Sequence, residues 1–173
     1  MESSIKNSVD VLNNTPNVLS ALMNNLSDKV LNSNEGENTW SVKEVIAHLV
    51  ICEETNWLQR IKIILSNQND KVFAPIDLLA HFDIAQNNSI SSLLERFKEN
   101  RKINISEIEV LDIQESDFVK TAVHPVIGKV NLNELLSTWV AHDLTHLSQI
   151  TRVMAKQYKN DIGPFIFYLN RLK

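Results

Sequence analysis

The sequence contains one cysteine, three glycines and four prolines among its 173 residues. The single thiol, Cys52, cannot form an internal disulfide, which is consistent with a reducing compartment. So few glycines and prolines disfavour a fold built from hairpins and tight turns, whereas stretches with helical apolar periodicity are plentiful. The composition therefore predicts a mainly helical protein.

Long apolar runs and blocks of like charge are also missing. The longest apolar run is well short of the ~20 residues that span a bilayer, and the N-terminal residues lack a signal-peptide pattern. The 17 basic and 21 acidic residues give a net charge of −4, without the basic cluster that nucleic-acid phosphates require. We therefore expect a soluble, cytoplasmic protein that binds neither membranes nor nucleic acids.

No repeat, low-complexity tract or linker divides the chain, which predicts a single domain over residues 1–173. In the first amphipathic segment, residues 5–30, apolar side chains recur every three or four positions on one stripe. Thr15 and Pro16 interrupt that stripe as an N-cap followed by a proline at the first helical position would. The main part of the first helix is therefore expected to begin there.

Capping boxes mark the starts of two further helices. Ser41 and Glu44 can satisfy each other's free backbone N–H groups at the start of the second helix, directly after Trp40. Asn131 and Glu134 form the same pattern at the start of another helix that reaches about residue 158. Both signals predict the register of the helix that follows.

The remaining segments complete a predicted all-α fold. Residues 67–88 are expected to form a long loop with one short helix, and residues 90–108 form an amphipathic third helix. Residues 117–130 are expected to be an extended or turning connection. Four amphipathic helices joined by long connections of unequal length most economically form a four-helix bundle, because each apolar stripe needs neighbours to cover it.

Two histidines occupy the apolar seam of the fourth helix. His142 and His146 are one turn apart and differ by only ~40° around the helix axis, so both imidazoles can converge on one point. Catalytic zinc sites typically use three protein ligands and leave a position for water or substrate. His48, about two turns into the second helix, is the best candidate for the third ligand.

Other interpretations of these histidines remain open. An isolated histidine beside an apolar stripe is more often a hydrogen-bonded core residue, although two adjacent buried imidazoles each need a partner or a metal. The residue after His142 is Asp143 rather than the glutamate of a zinc-protease HExxH motif. The paired Glu-x-x-His motifs of di-iron bundles are absent as well.

Asp143 and Gln149 are the candidates for a catalytic role. A carboxylate can accept the second N–H of a metal-bound imidazole, but Asp143 points about 100° away from His142, which favours an interhelical or outward position. Gln149, one turn after His146, can orient a bound water or substrate, or be a satisfied core amide. Cys52, one turn after His48, can be a soft ligand, although inert packing is favoured.

Several further residues have simpler explanations. Glu44, one turn before His48, can reach the edge of the metal site, although its role in the capping box explains it equally well and is favoured. His81 and His124 are expected to be ordinary loop residues, although His124 can line the mouth of a pocket. The three tryptophans, Trp40, Trp57 and Trp139, are expected to pack in the bundle. Trp139 can also form a wall of the histidine site.

Three segments resemble the DinB-like (YfiT) superfamily: residues 40–49 (WSVKEVIAHL), 124–132 (HPVIGKVNL) and 142–150 (HDLTHLSQI). The resemblance covers nearly the whole chain and implies a four-helix bundle with one divalent ion, often nickel or zinc. The family's three ligand positions correspond to His48, His142 and His146. Characterised members include transferases and isomerases that use low-molecular-weight thiols such as bacillithiol or mycothiol, and others are described as metal-dependent hydrolases.

Two hypotheses about function follow. The first is an enzyme whose ion activates a water for hydrolysis, or a cofactor thiol for S-transfer, on a small-molecule substrate. The second is a non-catalytic binding or stress-response module in which the metal mainly braces the bundle. A homodimer is compatible with both hypotheses.

Overall fold

A computed structural model describes residues 2–77, 79–169 and 172 of the chain. This part contains seven α-helices and one antiparallel hairpin, with short 3-10 turns at Glu115–Asp117 and Gly163–Tyr168. The elements are α1 (Glu2–Met23), α2 (Asp28–Leu31), α3 (Val42–Thr55), α4 (Trp57–Leu65), α5 (Ala80–Asn87), α6 (Ile90–Val110), β1 (Thr121–His124), β2 (Gly128–Asn131) and α7 (Leu132–Lys156).

Four long helices form the bundle, which confirms the predicted fold class. Helix α3 packs against α5, α6 and α7, and α1 packs against α6 and α7. Helix α4 follows α3 after a break at Asn56 and lies against α7 and β1. The core is filled by large apolar side chains from every long helix, among them Leu19, Ile46, Phe97 and Trp139. None of the helices in the described ranges is long and apolar enough to cross a bilayer.

The predicted start of the first helix is wrong, because α1 begins at Glu2 and continues through Pro16 to Met23. Thr15 is not an N-cap; its hydroxyl donates to the carbonyl of Val11, 3.2 Å away. Proline has no N–H, so Pro16 leaves the carbonyl of Leu12 without its usual helical donor. The guanidinium of Arg101 takes that place, with Nη1 2.6 Å from the Leu12 oxygen. A side chain from a neighbouring helix therefore allows proline inside α1.

The apolar stripe of residues 5–30 also spans two helices rather than one. Helix α1 ends at Met23, and Asn25 adopts a left-handed backbone conformation with φ of 59°. Asparagine tolerates this conformation better than most residues, and it ends helices for that reason. The chain then forms the separate short helix α2.

Both predicted capping boxes are present. The Ser41 backbone N–H donates to Glu44 Oε2 at 2.6 Å, and the Asn131 N–H donates to Glu134 Oε2 at 2.8 Å. Each cap side chain accepts the reciprocal bond from its glutamate's backbone N–H. The starts of α3 and α7, the two helices that carry the candidate histidines, are thus set by local hydrogen bonds.

The connection at residues 117–130 contains a β-hairpin. Strands β1 and β2 pair antiparallel, from Thr121 opposite Asn131 to His124 opposite Gly128. Gly128 has φ of +80°, a conformation that glycine adopts without steric cost. Phe73, from the long loop, joins the outer edge of β1 by donating its N–H to the Val123 carbonyl at 2.9 Å. The hairpin thereby connects the long loop to the start of α7.

A buried charged cluster joins four helices. Arg101 of α6 donates to Glu53 Oε1 of α3 and to Asp143 Oδ2 of α7, each at 2.8 Å, in addition to its bond to α1. Asn104 Nδ2 and Trp139 Nε1 donate to the Glu53 carboxylate, both at 2.9 Å. Burial opposes the charge on Arg101, but the two carboxylates outweigh burial and raise its pKa. Asp143 is therefore interhelical, as its position in the sequence suggested.

Removing the cation from this cluster should destabilise the bundle strongly. In Arg101→Met, the two buried carboxylates lose their cation and the Leu12 carbonyl loses its donor, at an expected cost of about 3–5 kcal/mol. Arg96→Met is the matched control, because Arg96 pairs with Glu54 near the surface and its loss should cost below about 1 kcal/mol. Urea unfolding measures both values, and equal destabilisation of the two variants would contradict a central role for the cluster.

Candidate metal centre

Three histidines from two helices meet inside the bundle. His48 comes from α3, whereas His142 and His146 lie one turn apart on α7, and all three are partly buried. One ligand atom from each lies within 4.8 Å of the others, and Nε2 of His48 is 3.1 Å from Nε2 of His142. The structure thus brings together the three residues that the sequence indicated as ligands.

Helix register explains this convergence. The capping box at Ser41 places His48 nearly two turns into α3, on the side that packs against α7. The charged cluster then joins the same two helices close to the histidines, because Glu53 follows Cys52 on α3 and Asp143 follows His142 on α7. Sliding either helix by one turn would break these buried bonds, so the cluster holds the imidazoles at matching heights.

Gln149 orients one of the imidazoles. Its Oε1 lies 2.8 Å from Nδ1 of His146. An amide oxygen only accepts hydrogen bonds, so this contact places the proton on Nδ1 and leaves the lone pair on Nε2. Such bonds from a neighbouring side chain commonly fix the ring of a metal-binding histidine. The predicted role of Gln149 in orienting a bound water or substrate stays a prediction.

Burial keeps the imidazoles neutral. It lowers the pKa of His48 to about 4, helped by the nearby His146 and His81, and lowers that of His142 to about 3, helped by His146 and His48. Burial also lowers the pKa of His146. A neutral imidazole is the form that binds metal. Two nitrogen ligands of a tetrahedral ion are roughly 3.3 Å apart, so the donor type and spacing fit a divalent ion such as zinc.

Cys52 lies at the edge of the cluster. Its Sγ is 3.5 Å from Nε2 of His48 and 3.9 Å from Nε2 of His142. The side chain is 2% exposed, and burial raises the pKa of the thiol to about 12, with a further contribution from Glu53. Cys52 is therefore a neutral, packed thiol that nonetheless touches two of the histidines.

Aromatic rings enclose the three histidines. Trp40 stacks on His146 with ring centroids 6.2 Å apart and lies 4.9 Å from the ring of His48. Trp57 meets His142 edge-on at 5.1 Å and is backed by Trp139 at 5.7 Å. Trp40 and Trp57 thus wall the site directly, and Trp139 packs behind Trp57.

His81 is not an ordinary loop residue, so that interpretation was wrong. It belongs to α5, is 1% exposed, and its ring lies 4.3 Å from that of Trp40 and 5.7 Å from that of His48. No local pattern in the sequence indicated this position, because it depends on how the long loop folds back over α3.

The other candidates are engaged in separate contacts. The carboxylate of Asp143 is bound by Arg101, and its predicted catalytic role remains untested. Glu44 serves as the cap of α3. His124 lies at the end of β1, where its Nδ1 accepts the Val126 N–H at 3.2 Å and helps to shape the hairpin turn.

Comparisons with known proteins agree on one family. A sequence model of the DinB superfamily matches residues 12–150. The uncharacterised protein YuaE of Bacillus subtilis (strain 168) is 24% identical over 146 residues, which cover 76% of this chain and 87% of YuaE.

A solved structure shares the fold. YfiT from Bacillus subtilis, described as a probable metal-dependent hydrolase with an unusual four-helix bundle topology, superimposes with a TM-score of 0.75. The two chains are 17% identical, and the match covers 91% of this chain and 89% of YfiT. At this identity the similarity establishes the architecture.

The metal-free protein should lose stability as the pH falls from about 6.5 to about 5. An unfolded histidine has a pKa of about 6.5, whereas folded His48 and His142 stay neutral down to about pH 4. The unfolded chain therefore binds more protons in this window, which favours unfolding by about 1–2 kcal/mol per imidazole at pH 5. Urea unfolding with a chelator present measures the effect.

The control for this prediction compares two histidine variants. His142→Gln removes one buried imidazole and should weaken the pH dependence, whereas His124→Gln, in the hairpin, should leave most of it. If the stability of the wild type stays constant between about pH 7 and pH 5, the folded histidines take up protons as the unfolded ones do. Their pKa values would then not be lowered by burial.

Gln149→Leu should weaken metal binding by about 10–100-fold, because the Nδ1–H of His146 loses its acceptor and the ring loses its orientation. Gln157→Leu is a suitable control, since Gln157 follows α7 and its side chain donates to the backbone carbonyls of Asn34 and Val153. Competition with a coloured chelator gives both affinities. Equal affinity of the Gln149→Leu variant and the wild type would rule out the orienting role.

Proposed function

This chain belongs to the DinB superfamily, and we propose that it is a metal-dependent hydrolase whose divalent ion is held by His48, His142 and His146. The observation that carries the proposal is the convergence of three neutral imidazoles from α3 and α7 on one point. The description of its structural neighbour YfiT as a probable metal-dependent hydrolase supports the same class of reaction.

We propose zinc or nickel as the ion, because imidazole nitrogens suit both metals. When bound, a divalent ion acts as a Lewis acid that lowers the pKa of a water molecule and polarises the bond to be cleaved. Three protein ligands leave at least one coordination position for water or substrate, as catalytic rather than structural sites do.

The surrounding side chains would each assist this reaction. Gln149 holds the Nδ1 proton of His146 and so directs its Nε2 lone pair to the centre. Trp40 and Trp57 exclude bulk water from two sides, which strengthens electrostatic interactions inside the site. The protonated Cys52 thiol adds no negative charge beside the histidines.

A low-molecular-weight thiol as the nucleophile, which the family resemblance implies, stays a prediction, as do a cytoplasmic location and a homodimer. The same centre would accept a thiol in place of water and transfer it to an electrophilic small molecule. The alternative is a non-catalytic module in which the metal only stabilises the bundle. It differs from the proposed enzyme in one measurable respect, since it predicts metal binding without turnover.

His146→Ala should remove the metal and the activity together, because two remaining imidazoles bind a divalent ion weakly. Elemental analysis of the purified protein should find about one ion per wild-type chain and almost none in the variant. Hydrolysis of a panel of small esters and amides, with and without added thiols, should fall to background in the variant.

His124→Ala is the control for this experiment, since His124 lies in the hairpin outside the three-histidine cluster. It should keep both the metal and the activity. Unchanged metal content in His146→Ala would refute the site, and a metal-loaded wild type without turnover on any substrate would favour the non-catalytic module.

A further inference from the structure

Arg60 is a buried cation without a carboxylate partner in the part of the chain that the structure describes. It lies on α4 and is 8% exposed. The other three described arginines each bind a carboxylate: Arg96 binds Glu54, Arg101 binds Glu53 and Asp143, and Arg152 binds Glu35. Arg60 is thus the exception among the arginines with described surroundings.

The contacts that Arg60 does make leave its charge uncompensated. Its guanidinium carbon lies 4.8 Å from the centre of the Phe73 ring, and Nη2 is 3.5 Å from the Ala74 carbonyl, a long contact. Burial lowers the pKa of Arg60, whereas the carboxylate partners of Arg96 and Arg152 raise theirs. An arginine that no described carboxylate neutralises is available to an anion from outside the chain.

Arg60 lies one turn after a residue that walls the three-histidine centre. Trp57, three residues earlier and therefore close in direction on α4, touches the ring of His142. The ring of Phe73, over which the guanidinium stacks, meets the ring of His124 edge-on with centroids 6.2 Å apart. Arg60 thus lies on α4 between a wall of the histidine centre and the hairpin.

We propose that Arg60 binds a carboxylate group of the small molecule that occupies the three-histidine centre. This proposal rests on the proposed function, since it assigns the chemical class of that site's ligand. Stacking on Phe73 covers one face of the guanidinium and leaves its N–H edge for a planar anion. A planar carboxylate matches the fork of the guanidinium with two parallel hydrogen bonds.

The carboxylate could belong to a substrate or to a thiol cofactor, and matched probes separate the two sources. The thiol pair is 3-mercaptopropionate and 3-mercaptopropionamide; the oxygen pair is 3-hydroxypropionate and 3-hydroxypropionamide. Within each pair only the charge differs. Calorimetric titration of the metal-loaded protein should show that the acid of at least one pair binds about tenfold or more tightly than its amide. The pair that shows this preference identifies the source.

Arg60→Gln should abolish the preference for the acid, and Arg60→Lys should reduce it by about threefold or more, because an ammonium cannot form the paired bonds of a guanidinium. Arg96→Gln is the matched control and should keep the wild-type preference. The same preference in Arg60→Gln, or no preference in the wild type, would overturn the proposal. If Arg60→Gln does not fold, an undiminished preference in Arg60→Lys overturns it equally.

Failure of the metal site can be told apart from failure of this proposal. If elemental analysis finds no metal in the wild type, the proposed function fails. The carboxylate site is then tested on the metal-free protein by NMR: the Nε–Hε resonance of Arg60 should shift when acetate is added and should not shift with acetamide. If metal is bound and neither carboxylate probe is preferred, the carboxylate site fails and the metal centre stands. A resonance that ignores acetate in the metal-free protein also counts against Arg60.

Discussion

The buried contacts of Arg101 hold this bundle in register. One guanidinium bonds to Glu53 on α3, to Asp143 on α7 and to the carbonyl that Pro16 leaves free on α1. A buried charge is costly without its partners, so the relative position of these helices that keeps the bonds from Nη1 and Nη2 of Arg101 is favoured. The charged cluster thus specifies the arrangement of the helices more than it adds to their stability.

The candidate metal centre depends on that arrangement. His48 and His142 belong to different helices, and the bonds from Arg101 to Glu53 and Asp143 join those helices nearby. Burial lowers the pKa values of the histidines and raises the pKa of Glu53, so it opposes charge at both places. Arg101 and Asn104 offset part of this effect at Glu53. Because Asp143 is engaged by Arg101, Gln149 is the side chain that orients His146.

Helix α4 and the hairpin extend the site beyond the bundle itself. Trp57 closes one side of the histidine centre, and Arg60, one turn later, contributes a cation that carboxylates elsewhere in the described chain do not neutralise. The segment after α4 supplies Phe73 to that cation, and α5 supplies His81, which packs against Trp40. Connections that contribute little to the core thus supply much of the chemistry around the centre, as is common for loops on a rigid scaffold.

The sequence alone determined the features that arise from local patterns. Capping boxes at Ser41 and Asn131 depend on neighbouring residues, and the spacing of His142 and His146 follows from helix geometry, so both were predictable. The start of α1, the burial of His81 and the isolation of Arg60 were not predictable, because each depends on residues far away in the chain. Pro16 ends a helix by local rules, yet Arg101, 85 residues later, supplies the missing donor. Only tertiary packing decides where such distant side chains meet.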